Sequence, residues 1–265
     1  MLGAIIGDMA GSIYEFAQIK KCRQVNINEI IEKDAFYSDD TILTMAIADA
    51  ILTNSPYEQK LKEYAIKYMN TVPEHKPYFK TMFSPNFCKW AKSNIQGESH
   101  GNGAMMRISP IGFMFNTEDD IIKNARLATI PSHNSEVAIY SATIIALIIF
   151  YSRQKMSKKD IIKKLNLKIP TQKPQLDKFN YTCEDTLPLV LYSWFNANSF
   201  VDAIKLAISF GGDTDTNACI VGSLAEASYG IDEKLKKQAY NKLPNEFKKI
   251  LDLYFNEFTK LNSSI

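Results

Sequence analysis

The sequence predicts an all-α protein, a single domain over residues 1–265, on three observations. Apolar residues recur at three-to-four spacing along nearly the whole chain, the spacing that lines up one face of a helix. No stretch alternates apolar and polar residues over strand length, and no hairpin dipeptide stands at strand spacing. With 46% hydrophobic residues among 265, the chain can bury a sizeable core.

Charge and cysteine usage exclude several function classes. Lys+Arg total 31 and Asp+Glu 29, a net charge of +2, and the bases are dispersed or sit in short pieces such as Lys158-Lys159, so no nucleic-acid surface is expected. Cys22, Cys88, Cys183 and Cys219 are far apart and form no CxxC pair, which argues against a zinc site or disulfide framework and for reduced thiols in a cytoplasm. The first eleven residues carry Asp8 and no basic leader, unlike a signal peptide. The longest uncharged run, 137–151, is shorter than the ~20 residues that cross a bilayer. A soluble cytoplasmic monomer without a membrane partner is the expectation.

Taken in order, residues 2–13 form a helix whose Gly3, Gly7, Ala10 and Gly11 allow close packing. Glu15 follows as a lone acid in an apolar setting, and residues 20–33 turn polar, as in a surface loop or flap. Residues 42–51 are helical, with Ile42, Met45, Ala46 and Ala50 near one face; 57–69 form an amphipathic helix with Leu61, Tyr64, Ala65 and Tyr68 on one side. Pro73, Pro77 and Pro85 mark an irregular stretch, followed by a short helix over 87–93. A helix over 118–129 precedes a buried central helix that takes in 137–151, with Ser132 as N-cap and Ser135-Glu136 continuing its polar start. Residues 154–179 are a Lys-rich surface helix plus an irregular connection, and 183–195 another apolar helix. Ser199-Phe200-Val201-Asp202 is a capping box opening the helix 201–209, 218–225 lie in a buried helix, and the tail from Asp232 is amphipathic.

Two helix starts carry hydroxyls and carboxylates in consecutive positions: Ser38-Asp39-Asp40-Thr41, and Asp213-Thr214-Asp215-Thr216 behind Gly211-Gly212. One such residue can cap a helix, because its oxygen accepts from the first free N–H groups. A cap uses only one, however, and neighbouring aspartates repel each other unless a cation neutralises them. Two clusters about 170 positions apart that meet in space would supply hard oxygen ligands for two divalent ions. Between them, Gly97, Gly101 and Gly103 can turn backbone N–H groups toward an anion, and the interleaved His100, Asn102 and Arg107 make this loop a candidate phosphate or ribose site. His133 is a neighbouring candidate, although a lone histidine near a helix start is usually a structural hydrogen bonder.

In order along the chain, Gly7-Asp8-Met9-Ala10-Gly11-Ser12-Ile13-Tyr14-Glu15, Ser38-Asp39-Asp40-Thr41, Gly101-Asn102-Gly103-Ala104-Met105-Met106-Arg107, Ser132-His133 and Gly211-Gly212-Asp213-Thr214-Asp215-Thr216 resemble the motifs of the ADP-ribosylglycohydrolase family. The resemblance spans roughly residues 1–230 and implies an orthogonal all-α bundle with a binuclear Mg²⁺ or Mn²⁺ centre. It also implies hydrolysis of the glycosidic bond joining C1″ of ADP-ribose to a modified protein side chain or small acceptor.

By position, Ser38, Asp39, Asp40, Asp213, Asp215 and Thr216 would be the metal ligands, with Ser38 where threonine is commoner. Glu15 matches a metal-contacting glutamate on a mobile flap, and Glu15, Asp39, Asp40 and Asp215 make up the implied catalytic set, the base being Asp39, Asp40 or Asp215. Ser99, His100, Asn102, Gly103, Met105 and His133 match positions lining the ADP-ribose pocket, and His100 stands where relatives often carry an aromatic ring. The same residues leave open a two-metal phosphohydrolase acting on a nucleotide, or a non-catalytic ADP-ribose-binding homologue.

Overall fold

Side-chain caps decide where many of the helices begin. Ser38, Ser84, Thr117, Ser135, Ser157, Thr182, Ser199 and Asp232 each accept a hydrogen bond from a first-turn N–H, satisfying a donor that the helix itself cannot. The computed structural model describes residues 1–18, 22–72 and 81–263. Over these the chain forms α1 (Leu2–Gly11), a 3-10 turn (Glu15–Ala17), α2 (Asp39–Thr53), α3 (Tyr57–Tyr68), α4 (Pro85–Ala91), α5 (Gly103–Met106), α6 (Ser109–Met114) and α7 (Glu118–Thr129). It continues through α8 (Glu136–Arg153), α9 (Lys158–Lys164), α10 (Cys183–Asn196), α11 (Phe200–Ile208), α12 (Thr214–Tyr229), α13 (Glu233–Lys242) and α14 (Asn245–Ser263). No strand ladder occurs among the described residues; two isolated bridges, Glu98 to His133 and Gly101 to Thr182, pin the 97–103 loop.

The all-α expectation holds, and the long periodic helices sit where their spacing placed them. Residues 20 and 21 of the expected flap, and Pro73 and Pro77, lie outside the described residues. Three local expectations change. Helix α5 occupies the end of the glycine stretch read as a loop, and α6 covers residues for which the sequence assigned no element, because four and six residues are too few to display a helical period. Ser135, rather than Ser132, caps α8. The capping box at Ser199 is half formed: Ser199 Oγ accepts from Asp202 N, while Asp202 reaches back to Asn198 N at 2.8 Å. Helix α8 is long and apolar enough to cross a membrane by length and composition, yet it is mostly buried inside this bundle, against α6, α7 and α12.

The most intimate contact in the bundle is between α1 and α12. A Cβ at Gly3 would lie 2.2 Å from the carbonyl oxygen of Gly222, one at Gly7 1.9 Å from that of Ala218, and one at Gly11 2.2 Å from that of Thr214. Ascending positions on α1 meet descending ones on α12, so the helices run antiparallel with their backbones touching, which only glycine permits at these positions. Backbone cannot yield as a flexible side chain can. Gly7→Ala should therefore cost about 3 kcal/mol, read from urea unfolding; a variant as stable as the parent would show that the two helices can separate freely.

Candidate active site

The glycine seam sets the place of the acids. Gly11 packs on Asp215, its notional Cβ only 2.4 Å from Asp215 Cα, so the end of α1 lies against the start of α12. Asp8, one turn earlier and fully buried, reaches across to the start of α2. Its Oδ2 accepts from Ser38 N at 2.8 Å, Thr41 N at 3.1 Å and Thr41 Oγ1 at 2.5 Å. Sequence reasoning gave Asp8 no role in the site, although a charge inside an apolar glycine-rich helix is the signal that could have found it.

The capping explanation of the two clusters fails in an informative way. At the start of α2 the cap is Ser38, whose Oγ accepts from Asp40 N at 3.2 Å, so neither aspartate is consumed by capping. At the start of α12, Asp213 occupies the cap position and its side chain caps nothing. Both clusters are therefore oriented by other groups. Ser38 Oγ and Thr216 Oγ1 donate to Asp40 Oδ2 at 3.3 and 3.2 Å, joining the two clusters directly. Asn102 Nδ2 donates to Asp213 Oδ2 at 2.7 Å, and Asn180 Oδ1 accepts from Asp213 N at 3.0 Å. Asn180 is also tied to Asn217 and Thr186; as a single amide in an irregular stretch, it carried no sequence signal.

Gly211 and Gly212 both take left-handed backbone, at φ 75 and φ 69. What comes close to them is protein: a Cβ on Gly211 would meet Arg23 O at 2.1 Å, and one on Gly212 would meet Asn180 Oδ1 at 2.3 Å.

The carboxylates fall into two triads whose oxygens lie within 4.8 Å of one another, Asp8–Asp40–Asp215 and Glu15–Asp213–Asp215, with Asp215 in both. Asp39 belongs to neither and is half-buried. Among the described residues no lysine or arginine forms an ion pair with any of these acids. Burial, and after it the charge of Asp215, pushes the Glu15, Asp39 and Asp40 carboxyls well above the ordinary range and that of Asp8 up to about 7. Asp215 rises through burial and then Asp213, and Asp213 rises through burial, against hydrogen bonds from Asn102 and Thr216. Asp8 Oδ1 and Asp40 Oδ1 are buried without a hydrogen-bond partner among the described residues. A dense set of carboxylate and hydroxyl oxygens with partnerless atoms and no basic counter-charge fits divalent cations.

The expected pocket residues divide. Ser99 and His100 are exposed on the loop, with Ser99 Oγ accepting from Gly101 N at 3.0 Å. Gly103 lies over the His133 ring. Asn102 points inward as the amide that holds Asp213, and Met105 is buried in the apolar core, so neither side chain lines an open cleft. Arg107, expected beside a phosphate, is fully buried and faces α7. None of Gly97, Gly101 and Gly103 adopts left-handed backbone, so the alternating anion nest is absent; Gly97 instead permits close approach, a Cβ there lying 2.5 Å from Ser132 O.

Comparison with known proteins bears directly on this site, because residues 1–262, which include both triads, match the ADP-ribosylglycohydrolase family. The chain belongs to that family. It is thus an enzyme of the hydrolase class. Relatives include the ADP-ribosylhydrolase ARH3 of Danio rerio, 25% identical over 88% of this chain and 82% of the relative. Another is the ADP-ribosylarginine hydrolase Tri1 of Pseudomonas putida, 22% identical over 87% of this chain and 70% of the relative. A solved structure of an ADP-ribosylglycohydrolase-related protein complex superposes with a TM-score of 0.70 at 18% identity, covering 97% of this chain and 96% of that one, and so shares the fold.

A carboxyl whose folded-state pKa is raised holds its proton more tightly when folded, so it withdraws stability as pH rises from its unfolded toward its folded value. For Asp8 that window runs from 3.8 to about 7. In protein stripped of metal by chelator, the melting temperature should fall across this range relative to Asp215→Asn, which removes the charge that raises its neighbours. Parallel pH curves for the two proteins would contradict the electrostatic picture.

Proposed function

We propose that the protein hydrolyses the glycosidic bond at C1″ of an ADP-ribosyl group attached to a protein side chain or small acceptor, with two divalent cations, Mg²⁺ or Mn²⁺, at the acidic cluster. The observation that carries this reading is the pair of carboxylate triads sharing Asp215. Asp40 and Asp215 with Ser38 and Thr216 would hold one ion, and Asp213 and Glu15 with Asp215 the other. Such ions supply Lewis-acid polarisation of the ribose oxygens and make water a stronger nucleophile near neutral pH.

The chain's own groups do the rest. Asp39, expected among the ligands, stands outside both triads and is only half-buried, which leaves its carboxylate available to take the proton of the attacking water. The buried negative charge of the cluster favours the positive charge that develops at C1″ in an oxocarbenium-like transition state. Asn102 and Asn180 fix Asp213, and Asp8 fixes the start of α2, so these acids are held before substrate arrives. The fold and family agree with this reading, and the relatives ARH3, an ADP-ribosylhydrolase, and Tri1, an ADP-ribosylarginine hydrolase, carry activities of the same kind in their names.

A panel of peptides ADP-ribosylated on arginine, on serine and on other acceptors, assayed for free ADP-ribose, tests the proposal and names the acceptor. Turnover should stop with EDTA and return with Mg²⁺ or Mn²⁺, and Asp215→Asn should lower kcat on the order of 10²–10³-fold. Turnover that survives chelation, or release of AMP in place of ADP-ribose, would overturn it.

A further inference from the structure

Arg107 is a buried cation without a carboxylate partner among the described residues. Its Nη2 donates to Ala128 O at 3.1 Å and to Ser132 Oγ at 2.8 Å, while Nε and Nη1 have no partner among those residues. Ala128 lies in the last turn of α7, where the carbonyl end of the helix dipole favours a positive charge. The guanidinium is thereby held at Ser132.

The Ser132 hydroxyl lies between two groups. A guanidinium has donors only, so Ser132 Oγ accepts from Arg107. Ser132 Oγ also lies 2.8 Å from His133 Nδ1. If Nδ1 carried the imidazole proton, the serine O–H would be left without an acceptor in a buried place, since no other acceptor for it stands among the described residues; that costs about 1–3 kcal/mol. Nδ1 therefore accepts, and a neutral imidazole then carries its one proton on Nε2. Burial and the nearby Arg107 charge hold the His133 pKa well below its usual value, which keeps the ring neutral.

The far side of the ring faces the glycine loop. Cβ atoms at Gly103 and Gly101 would lie 3.3 and 3.5 Å from His133 Nε2, so glycine at both positions keeps that nitrogen uncovered. His133 N donates to Thr129 O at 2.9 Å and Asn134 N to Gly97 O at 2.8 Å, fixing the backbone on either side of the ring. Nε2 has no hydrogen-bond partner among the described residues.

We infer that Arg107 and Ser132 are positioning residues that lock His133 in the Nε2–H tautomer, making it a hydrogen-bond donor to a phosphate or ribose oxygen of the bound ADP-ribosyl group. The donor role rests on the ADP-ribosyl reading above; the tautomer does not.

With three histidines in the chain, ¹⁵N-labelled imidazole NMR can resolve the ring of interest. The unsubstituted protein should show His133 protonated on Nε2 alone. Ser132→Ala should give a mixture of tautomers and weaken ADP-ribose binding about tenfold by calorimetry, and Ser132→Thr, which keeps the hydroxyl, should restore both. Arg107→Met should also mix the tautomers; if it does not fold, the Ser132 pair decides. An Nδ1–H or fully protonated ring in the unsubstituted protein, a tautomer indifferent to Ser132→Ala, or an unchanged affinity after the tautomer mixes would overturn the inference. An Nε2–H ring in a protein that does not bind ADP-ribose would defeat the ADP-ribosyl reading and leave the lock standing.

Discussion

The site depends on two helices whose backbones touch. Glycine at every fourth position of α1 lets it press against α12 until a Cβ at Gly7 would sit 1.9 Å from the Ala218 carbonyl oxygen, and that contact places Asp8 and Asp215 in one carboxylate triad. Van der Waals contact between backbones is specific in register, because a shift by one residue would drive a side chain into a carbonyl. Asp8 then fixes the start of α2 through three hydrogen bonds, and α2 brings Asp40 within reach of Thr216. Residues from both ends of the chain become one site through two steps of packing.

The arrangement is costly without a partner. Carboxylates removed from water, close to one another and without an ion-paired base among the described residues, are forced toward their neutral forms, as the raised pKa values of Asp8, Asp39, Asp40, Asp213, Asp215 and Glu15 show. The fold bears this cost through its buried apolar mass and the glycine seam. The partnerless oxygens of Asp8 and Asp40 and the Asp215 carboxylate common to both triads are what a cation would relieve.

Much of this was legible in the sequence. The long helices announced themselves by period and caps, and both acidic clusters stood out because one cap needs one residue. The failures have physical reasons. Asp8 sat alone in an apolar helix, where its partners on α2 are over thirty positions away. Arg107 stands beside the glycine loop in sequence and so was grouped with a phosphate or ribose site, whereas the C-terminus of α7 rather than an acid or a ligand holds it inside. Asn102 was read as facing substrate, and only the fold reveals that its amide turns inward to Asp213. The 97–103 loop was read as a nest because three glycines were present; their backbone angles show that the need was space beside Ser132 and His133.

The most direct measurement is anomalous diffraction at the manganese edge from crystals grown with Mn²⁺. The account predicts two peaks flanking Asp215, one beside Asp40 and one beside Asp213 and Glu15. A single peak, or none within this cluster, would contradict it.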